Sequence, residues 1–316
     1  MKLVDFNNAL ESIVYDVWKQ VIPDEYPSET EYTSRVINDP NLDGQGFPVA
    51  FDDNGKVIGF AISIIRKVPN DGLGLEPDRG WVTMVGVLPE CRRKGVGIKL
   101  INCCEKYIKS HGHKNVYVCG STGSSPNYFW PGVDIQKYPA ALGLFKKAGF
   151  IQTHEAYRME RSLDDYVFPA DVNNIEDSIG KTQGITVRLM QSGEGEKLIK
   201  FLEHEFPGDW VRHTGIVLSQ KQGNEKRFFI AEKNGEFVGY CHYDDTDGHF
   251  GPFFVRADMR NHNIGAVLFN RCAQRCKGLG LPVFWFGWAD DPVPARFYKR
   301  NKMKITRTYA MLKKEL

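Results

Sequence analysis

The chain is written twice, and a repeated pattern of this length constrains a fold more than any single motif. In the first half, Phe47-Pro-Val-Ala-Phe-Asp-Asp-Asn-Gly-Lys-Val-Ile-Gly-Phe-Ala reads as strand, Asn-Gly turn, strand. In the second half, Arg227-Phe-Phe-Ile-Ala-Glu-Lys-Asn-Gly-Glu-Phe-Val-Gly-Tyr-Cys repeats that hairpin, with Gly59 and Gly239 in matching places. A long strand and a glycine loop follow, Trp81 to Gly97 and Phe250 to Gly265. Next come a predicted helix (Ile98 to Ser110; Ala266 to Lys277), a strand (Asn115 to Gly120; Pro282 to Trp288), and a short helix with a closing strand. At 316 residues there is room for two domains of ordinary size. They are expected at 1–161 and 185–316. A linker is expected at 162–184, where Pro169 and Asn173-Asn174 stand among acids with no clear period.

The loop after the long strand carries the chemistry. It reads Val87-Leu88-Pro89-Glu90-Cys91-Arg92-Arg93-Lys94-Gly95-Val96-Gly97 and opens a helix. Backbone N–H groups at a helix start, with the helix dipole behind them, suit a pyrophosphate. Two glycines keep Cβ atoms out of the way, and Arg92, Arg93 and Lys94 bring counter-charge. A P-loop would end in Gly-Lys-Ser/Thr, and a dinucleotide fold would need Gly-x-Gly-x-x-Gly; neither is present. The bland alternative is a basic helix N-terminus that binds nothing. The second copy, Val255 to Gly265, keeps Arg260 for Arg92 and Gly265 for Gly97. Asn263 replaces Gly95, and Asn tolerates a left-handed backbone best after glycine. Asn261 and His262 replace Arg93 and Lys94, which removes two charges. On phosphate chemistry the first loop is the stronger, and the second is open to the reading of a degenerate, structural copy.

The order Val-x-Pro-x-x-Arg-x-x-Gly-x-Gly resembles the coenzyme A signature of the GNAT acetyltransferase superfamily, and the element order of both halves resembles the GNAT fold. The resemblance implies an α/β (α+β) chain of two tandem GNAT domains, each a mixed, splayed β-sheet flanked by helices. It implies acetyl-CoA as the acyl donor. The residues expected to bind it are Val87, Arg92, Arg93, Lys94, Gly95, Val96 and Gly97 in the first half. In the second half they are Val255, Arg260, Asn263, Ile264, Gly265 and Ala266.

Acetyl transfer to an amine needs a base for the ammonium, donors for the oxyanion and an acid for the departing thiolate. In GNAT enzymes the acid is often a Tyr of a Phe-Tyr pair on the short helix. The second half has Phe297-Tyr298 there, and the first has Leu144-Phe145, which cannot give a proton. The alternative for Tyr298 is a core aromatic. Asp290 and Asp291 stand at a strand end, where paired carboxylates raise one another's pKa; as N-caps of the next helix they would be structural. His249 on the preceding strand is a further candidate base. In the first half, Tyr128, Phe129, Trp130 and Asp134 would suit a sugar, whose apolar faces stack on rings; the alternative is a packed Pro/Gly loop.

That Tyr-Phe-Trp-Pro-Gly-Val-Asp insert, with Phe-Gly-Trp and Phe-Tyr in the second half, resembles the tandem-GNAT glucosaminide N-acetyltransferases of bacterial cell-wall recycling. This implies acetylation of glucosamine or peptidoglycan-derived glucosaminides, with catalysis on Tyr298 and Asp290 or Asp291. The first half would then bind coenzyme A and help shape the sugar cleft, with Tyr128, Trp130, Asp134 and His249 on the substrate. The alternatives are another small amine, as for mycothiol synthase or an antibiotic-modifying enzyme, and a non-catalytic acyl-CoA sensor. Composition narrows the partners. A net charge of +2 gives no footprint for nucleic acid, no run reaches a membrane span, and the N-terminus does not read as a signal peptide. Seven cysteines in no zinc pattern fit free thiols in a cytoplasmic protein, with no metal. The oligomeric state stays open.

Overall fold

A computed structural model describes residues 1–316 except 70–73, 121–128, 207, 221–222 and 290–291. The chain divides into two compact units, residues 1–157 with 307–316, and residues 158–306.

The first unit begins with β1 (Lys2–Asp5), α1 (Glu11–Val21), α2 (Glu29–Tyr32), β2 (Pro48–Phe51) and β3 (Val57–Ile65). It continues through β4 (Arg79–Val87), α3 (Val96–Ser110), β5 (Asn115–Val118), β6 (Val133–Asp134), α4 (Pro139–Lys147) and the start of β7 (Ile151–Ser162), whose end belongs to the second unit. All nine residues of β3 are buried, because the sheet is covered on both faces. On one face α1 lays down Val14, Val17 and Trp18, one stripe at helical spacing. On the other, α3 lays down Val96, Leu100, Ile101, Cys104 and Ile108.

The second unit takes in α5 (Ala170–Gln183), β8 (Ile185–Leu189), α6 (Gly195–Glu205), α7 (Asp209–Gln220), β9 (Phe228–Lys233) and β10 (Glu236–Tyr243). Then come β11 (Phe250–Val255), α8 (Ile264–Gly278), β12 (Val283–Phe286) and α9 (Pro292–Arg300), before the chain ends as β13 (Lys304–Glu315). Strands β11-β10-β9-β8 form an antiparallel sheet.

Two features differ from the expected organisation. The segment expected as a linker carries α5, which is ordered against α8. Val172 and Ile179 are buried, Arg271 Nε donates to Glu176 at 3.0 Å, and Tyr166 Oη donates to Asn270 O at 3.0 Å. The closing strands are also exchanged. In the first unit the sheet order is β1-β2-β3-β4-β5-β13-β7, so the chain's last strand fills the place beside β5. In the second unit the end of β7 pairs antiparallel with β12, Met159 opposite Phe286 and Ser162 opposite Val283.

Candidate active site

Both anion loops adopt one backbone shape. Arg93 and Asn261 are left-handed at φ 64° and 66°, and Gly95 and Asn263 at φ 82° and 61°. Each strand end is followed by a short 3-10 turn (Pro89–Cys91; Ala257–Met259). Each signature arginine turns back onto its own strand: Arg92 Nε donates to Val87 O at 3.0 Å, and Arg260 Nε to Val255 O at 3.2 Å. Arg92 Nη2 also donates to Val21 O at 3.2 Å. These arginines therefore brace the loop while staying exposed, and Arg93 and Lys94 beside Arg92 are exposed as well and carry charge that can face an anion. In α3 the first amide to find a helical partner is Lys99 N–H, to Gly95 O at 3.2 Å. The amides of Val96, Gly97 and Ile98 sit in the first turn, where the helix offers them no carbonyl. In α8 the third such amide, Ala266 N–H, already donates to Asn263 O at 3.0 Å. The first loop thus offers more charge and one more donor, and both fit the pyrophosphate of acetyl-CoA. The two glycines of the first loop do different jobs. Open space surrounds Gly95, so its value is the positive φ, whereas a Cβ on Gly97 would lie 2.9 Å from Leu144. A Cβ on Gly265 would meet Phe253 at 3.3 Å, with Phe297 only at 4.0 Å.

Beside each loop the strands part. In the first unit β4 and β5 pair in parallel from Arg79–Asn115 to Val82–Val118, and Cys119 N–H closes onto Val82 O at 2.8 Å. Beyond that point β4 bulges at Thr83 and runs on to Val87 paired with β3 and no longer with β5. Leu88 N–H donates to Ile58 O, and Gly86 and Met84 pair with Phe60 and Ile62. Bonded and unbonded pairs alternate along an antiparallel ladder, so Val85 and Val87 turn their N–H and C=O away from β3 into the opening. In the second unit Arg256 N–H donates to Val238 O, and Tyr240 pairs with Phe254. The same alternation turns Phe253 N–H and Val255 N–H into the opening between β11 and β12, which are joined by a bridge at His249–Trp285. A free strand amide at such a place is an oxyanion donor.

Tyr298 on α9 lies against this opening. Its ring centroid is 4.2 Å from Phe286, 5.3 Å from Phe297 and 5.8 Å from Phe250. Burial among these rings pushes its pKa up, so the hydroxyl holds its proton at neutral pH. The matching residue of α4 is Phe145: Phe150 N–H to Phe145 O and Met303 N–H to Tyr298 O close the two helices in the same way.

Of the other expected residues, Asp290, Asp291 and Tyr128 lie outside the described residues. Trp130 packs against the cluster around Trp18 and Phe129. Asp134 is 3 % exposed and accepts the amides of Gln136 and Lys137 at 3.0 and 2.9 Å, which makes it a turn-former in the first unit. His249 sits in T-shaped contact with Trp285 at 4.7 Å. Burial first, and then His213, pushes its pKa down to about 4, which leaves it a neutral imidazole and a weak base. Sequence reading missed His242 and His213, whose rings lie 5.2 Å apart beside it; single histidines on an alternating strand and a helix give no signal. Among the described residues no group of three or more His, Cys, Asp or Glu is placed to hold a metal, all seven cysteines are free, and no helix is long and apolar enough to cross a membrane.

Comparison with known proteins agrees with this geometry. The Acetyltransferase (GNAT) family matches residues 12–128 and 195–302, well over half of the chain and once in each half. The chain belongs to the GNAT family. It is an acetyl-CoA-dependent acetyltransferase of tandem type. No curated protein matches it in sequence. Among solved structures it is similar to a GCN5-related glucosamine N-acetyltransferase region of a fungal multi-domain GH3 β-N-acetylglucosaminidase. There the TM-score is 0.78 at 19% identity, over 99% of this chain and 38% of that one. A GCN5-related N-acetyltransferase from Sphaerobacter thermophilus gives 0.69 at 19% identity, over 99% of this chain and 95% of that one. A tandem GNAT protein from the clavulanic acid biosynthesis pathway gives 0.64 at 11% identity, over 99% and 98%. The chain spans little more than a third of the length of the fungal protein.

Proposed function

We propose that the second unit of this acetyltransferase carries out the chemistry and that its acceptor is the amine of a small amino sugar, glucosamine or a glucosaminide. The observation that carries the first part is Tyr298, held protonated beside the opening, where the first unit has Phe145 at the matching place. Acetyl-CoA supplies the acetyl group as an activated thioester. The residues that would hold it in the second unit are those of the loop from Arg260 to Ala266, and in the first unit Arg93 to Gly97. Phe253 N–H offers a hydrogen bond to negative charge developing in the opening. Tyr298 Oη keeps a proton to give, and Asp290 or Asp291 is the base for the ammonium.

The amino-sugar part rests on the insert around Trp130, on Phe286-Gly-Trp in the second unit, and on the likeness to a chain named for glucosamine N-acetyltransfer. The same reading makes the acceptor a product of cell-wall breakdown met in the cytoplasm. A screen of amines with acetyl-CoA, followed by free-thiol release, tests it. Turnover with glucosamine is expected. Turnover with an amino acid or peptide amine and none with any amino sugar would overturn the acceptor.

A further inference from the structure

His242 is the counterpart of Ile62. Ile62 pairs with Met84 beside the Thr83 bulge, and His242 falls at the matching irregular step, between the pairs Cys241–Phe253 and Tyr243–Phe250, so that it faces Gly251 and Pro252. An imidazole in place of an isoleucine, 2 % exposed, is costly unless its polar atoms are used. Its Nδ1 lies 3.0 Å from Gly251 O, and since a carbonyl only accepts, Nδ1 carries the hydrogen. Its Nε2 has no hydrogen-bond partner among the described residues. The ring is wedged between Phe228, 4.9 Å away, and His213. Gly251 is the bulge: the register with β10 slips there, and its φ is 110°. Two residues on is Phe253, whose N–H faces the opening. The first unit ties its own bulge with a side chain of the bulged strand, Thr83 Oγ1 donating to Ile62 O at 3.4 Å. The second unit has Gly251 there, which has no side chain to do so, and the tie comes from the neighbouring strand instead.

We propose that His242 is a positioning residue, whose Nδ1–H holds the Gly251 carbonyl and so fixes the bulge that aims the Phe253 N–H into the opening. The inference rests on the reading that the second unit does the chemistry. Burial first, and then His213, pushes the pKa of His242 down to about 3. The ring is therefore neutral at neutral pH, with one hydrogen, and that hydrogen is on Nδ1. A misplaced donor weakens the transition state more than it weakens substrate binding.

The test compares the full chain with His242→Asn and His242→Leu. An Asn amide nitrogen reaches the place of Nδ1, and Leu has no donor. We expect His242→Leu to lower kcat about ten- to hundred-fold, with KM for acetyl-CoA little changed and the acid limb of the pH–rate profile unmoved. His242→Asn should recover most of the rate. Full kcat in His242→Leu overturns the proposal. So does equal loss in both variants with a moved acid limb, which would make His242 a proton-transfer group. If His242→Leu fails to fold, His242→Gln replaces it, because its amide reaches the place of Nε2 and not of Nδ1; a full rate there also overturns the proposal. Tyr298→Phe is run in parallel. Full activity in that variant removes the underlying reading and the proposal with it. A loss there beside a fully active His242→Leu removes the positioning role alone.

Discussion

Gly95 and Asn263 show how one backbone requirement admits two residues. Both sit left-handed before a helix, and nothing near Gly95 would touch a Cβ. Glycine is there for φ alone, so Gly95→Asn should leave acetyl-CoA affinity and stability nearly unchanged. Gly95→Val should cost about 1–2 kcal/mol of stability or distort the loop. Denaturant unfolding and coenzyme titration of the two variants check this, and equal behaviour would contradict it. The sequence made this exchange legible, because Asn is the residue that best stands in for glycine at positive φ. The duty of Arg92 was not legible. Its place in the motif suggested charge for a phosphate, yet its guanidinium is occupied with Val87 O and Val21 O, and only the fold brings Val21 there. Asp134 likewise reads as a ligand in a line of aromatics and proves to hold a turn.

At the scale of elements, the matched strands differ in what lies under them. Where the first unit has Val82, Ile101, Val116 and Val118, the second has Phe250, Phe269, Phe284 and Phe286. Phe250 stacks on Phe284 at 4.3 Å and meets Phe269 edge-on at 5.3 Å. Rings need more room than branched aliphatics, and the four-pair ladder of β4 and β5 shrinks to a bridge between β11 and β12. The order of elements along the chain and both hairpins were readable from period and turn residues. This difference in splay was not, because it depends on which rings pack together.

The histidines of β10 and its neighbours give a pH prediction. His242 and His249 are pushed down to about 3 and about 4, with His213, Asp244, Arg158 and Arg227 around them. An unfolded histidine titrates near 6.5. Between about pH 6.5 and pH 4 the unfolded chain therefore binds more protons than the folded one, and stability must fall as pH falls through that window. Denaturant unfolding at pH 7 and pH 5 should show this loss, reduced in His242→Asn. The same loss in both proteins would contradict the assignment.

For the whole molecule, the exchange of closing strands means that neither half of the sequence is a complete unit. Ala310 and Leu312 are fully buried in the core of the first unit, and Lys314 Nζ bonds Glu105 at 2.7 Å and Ala148 O at 2.7 Å. Losing one such leucine costs about 2–5 kcal/mol, against a net stability of about 5–15 kcal/mol. A chain ended after Thr306 should lose the cooperative unfolding transition of its first unit. Retention of that transition would show that β13 is dispensable. Arg307 also joins Tyr138 and Lys137 around Glu25. Burial works against the Glu25 carboxylate, but these bonds outweigh it and hold its pKa below the ordinary value. The stability it adds is present above the unfolded pKa of about 4.3 and is lost as pH falls below it. The duplication was visible in the sequence from Gly59 and Gly239 onward. The exchange was not, because which closing strand lies beside β5 is decided by contacts between residues far apart in the sequence.

Whether Tyr298 works as an acid in the second unit is tested by the rate of thiol release from acetyl-CoA in Tyr298→Phe, measured with the best amine found, alongside coenzyme affinity. We expect a fall in kcat of about 10² to 10⁴ with affinity for acetyl-CoA kept. An unchanged kcat in a folded, coenzyme-binding variant would contradict it.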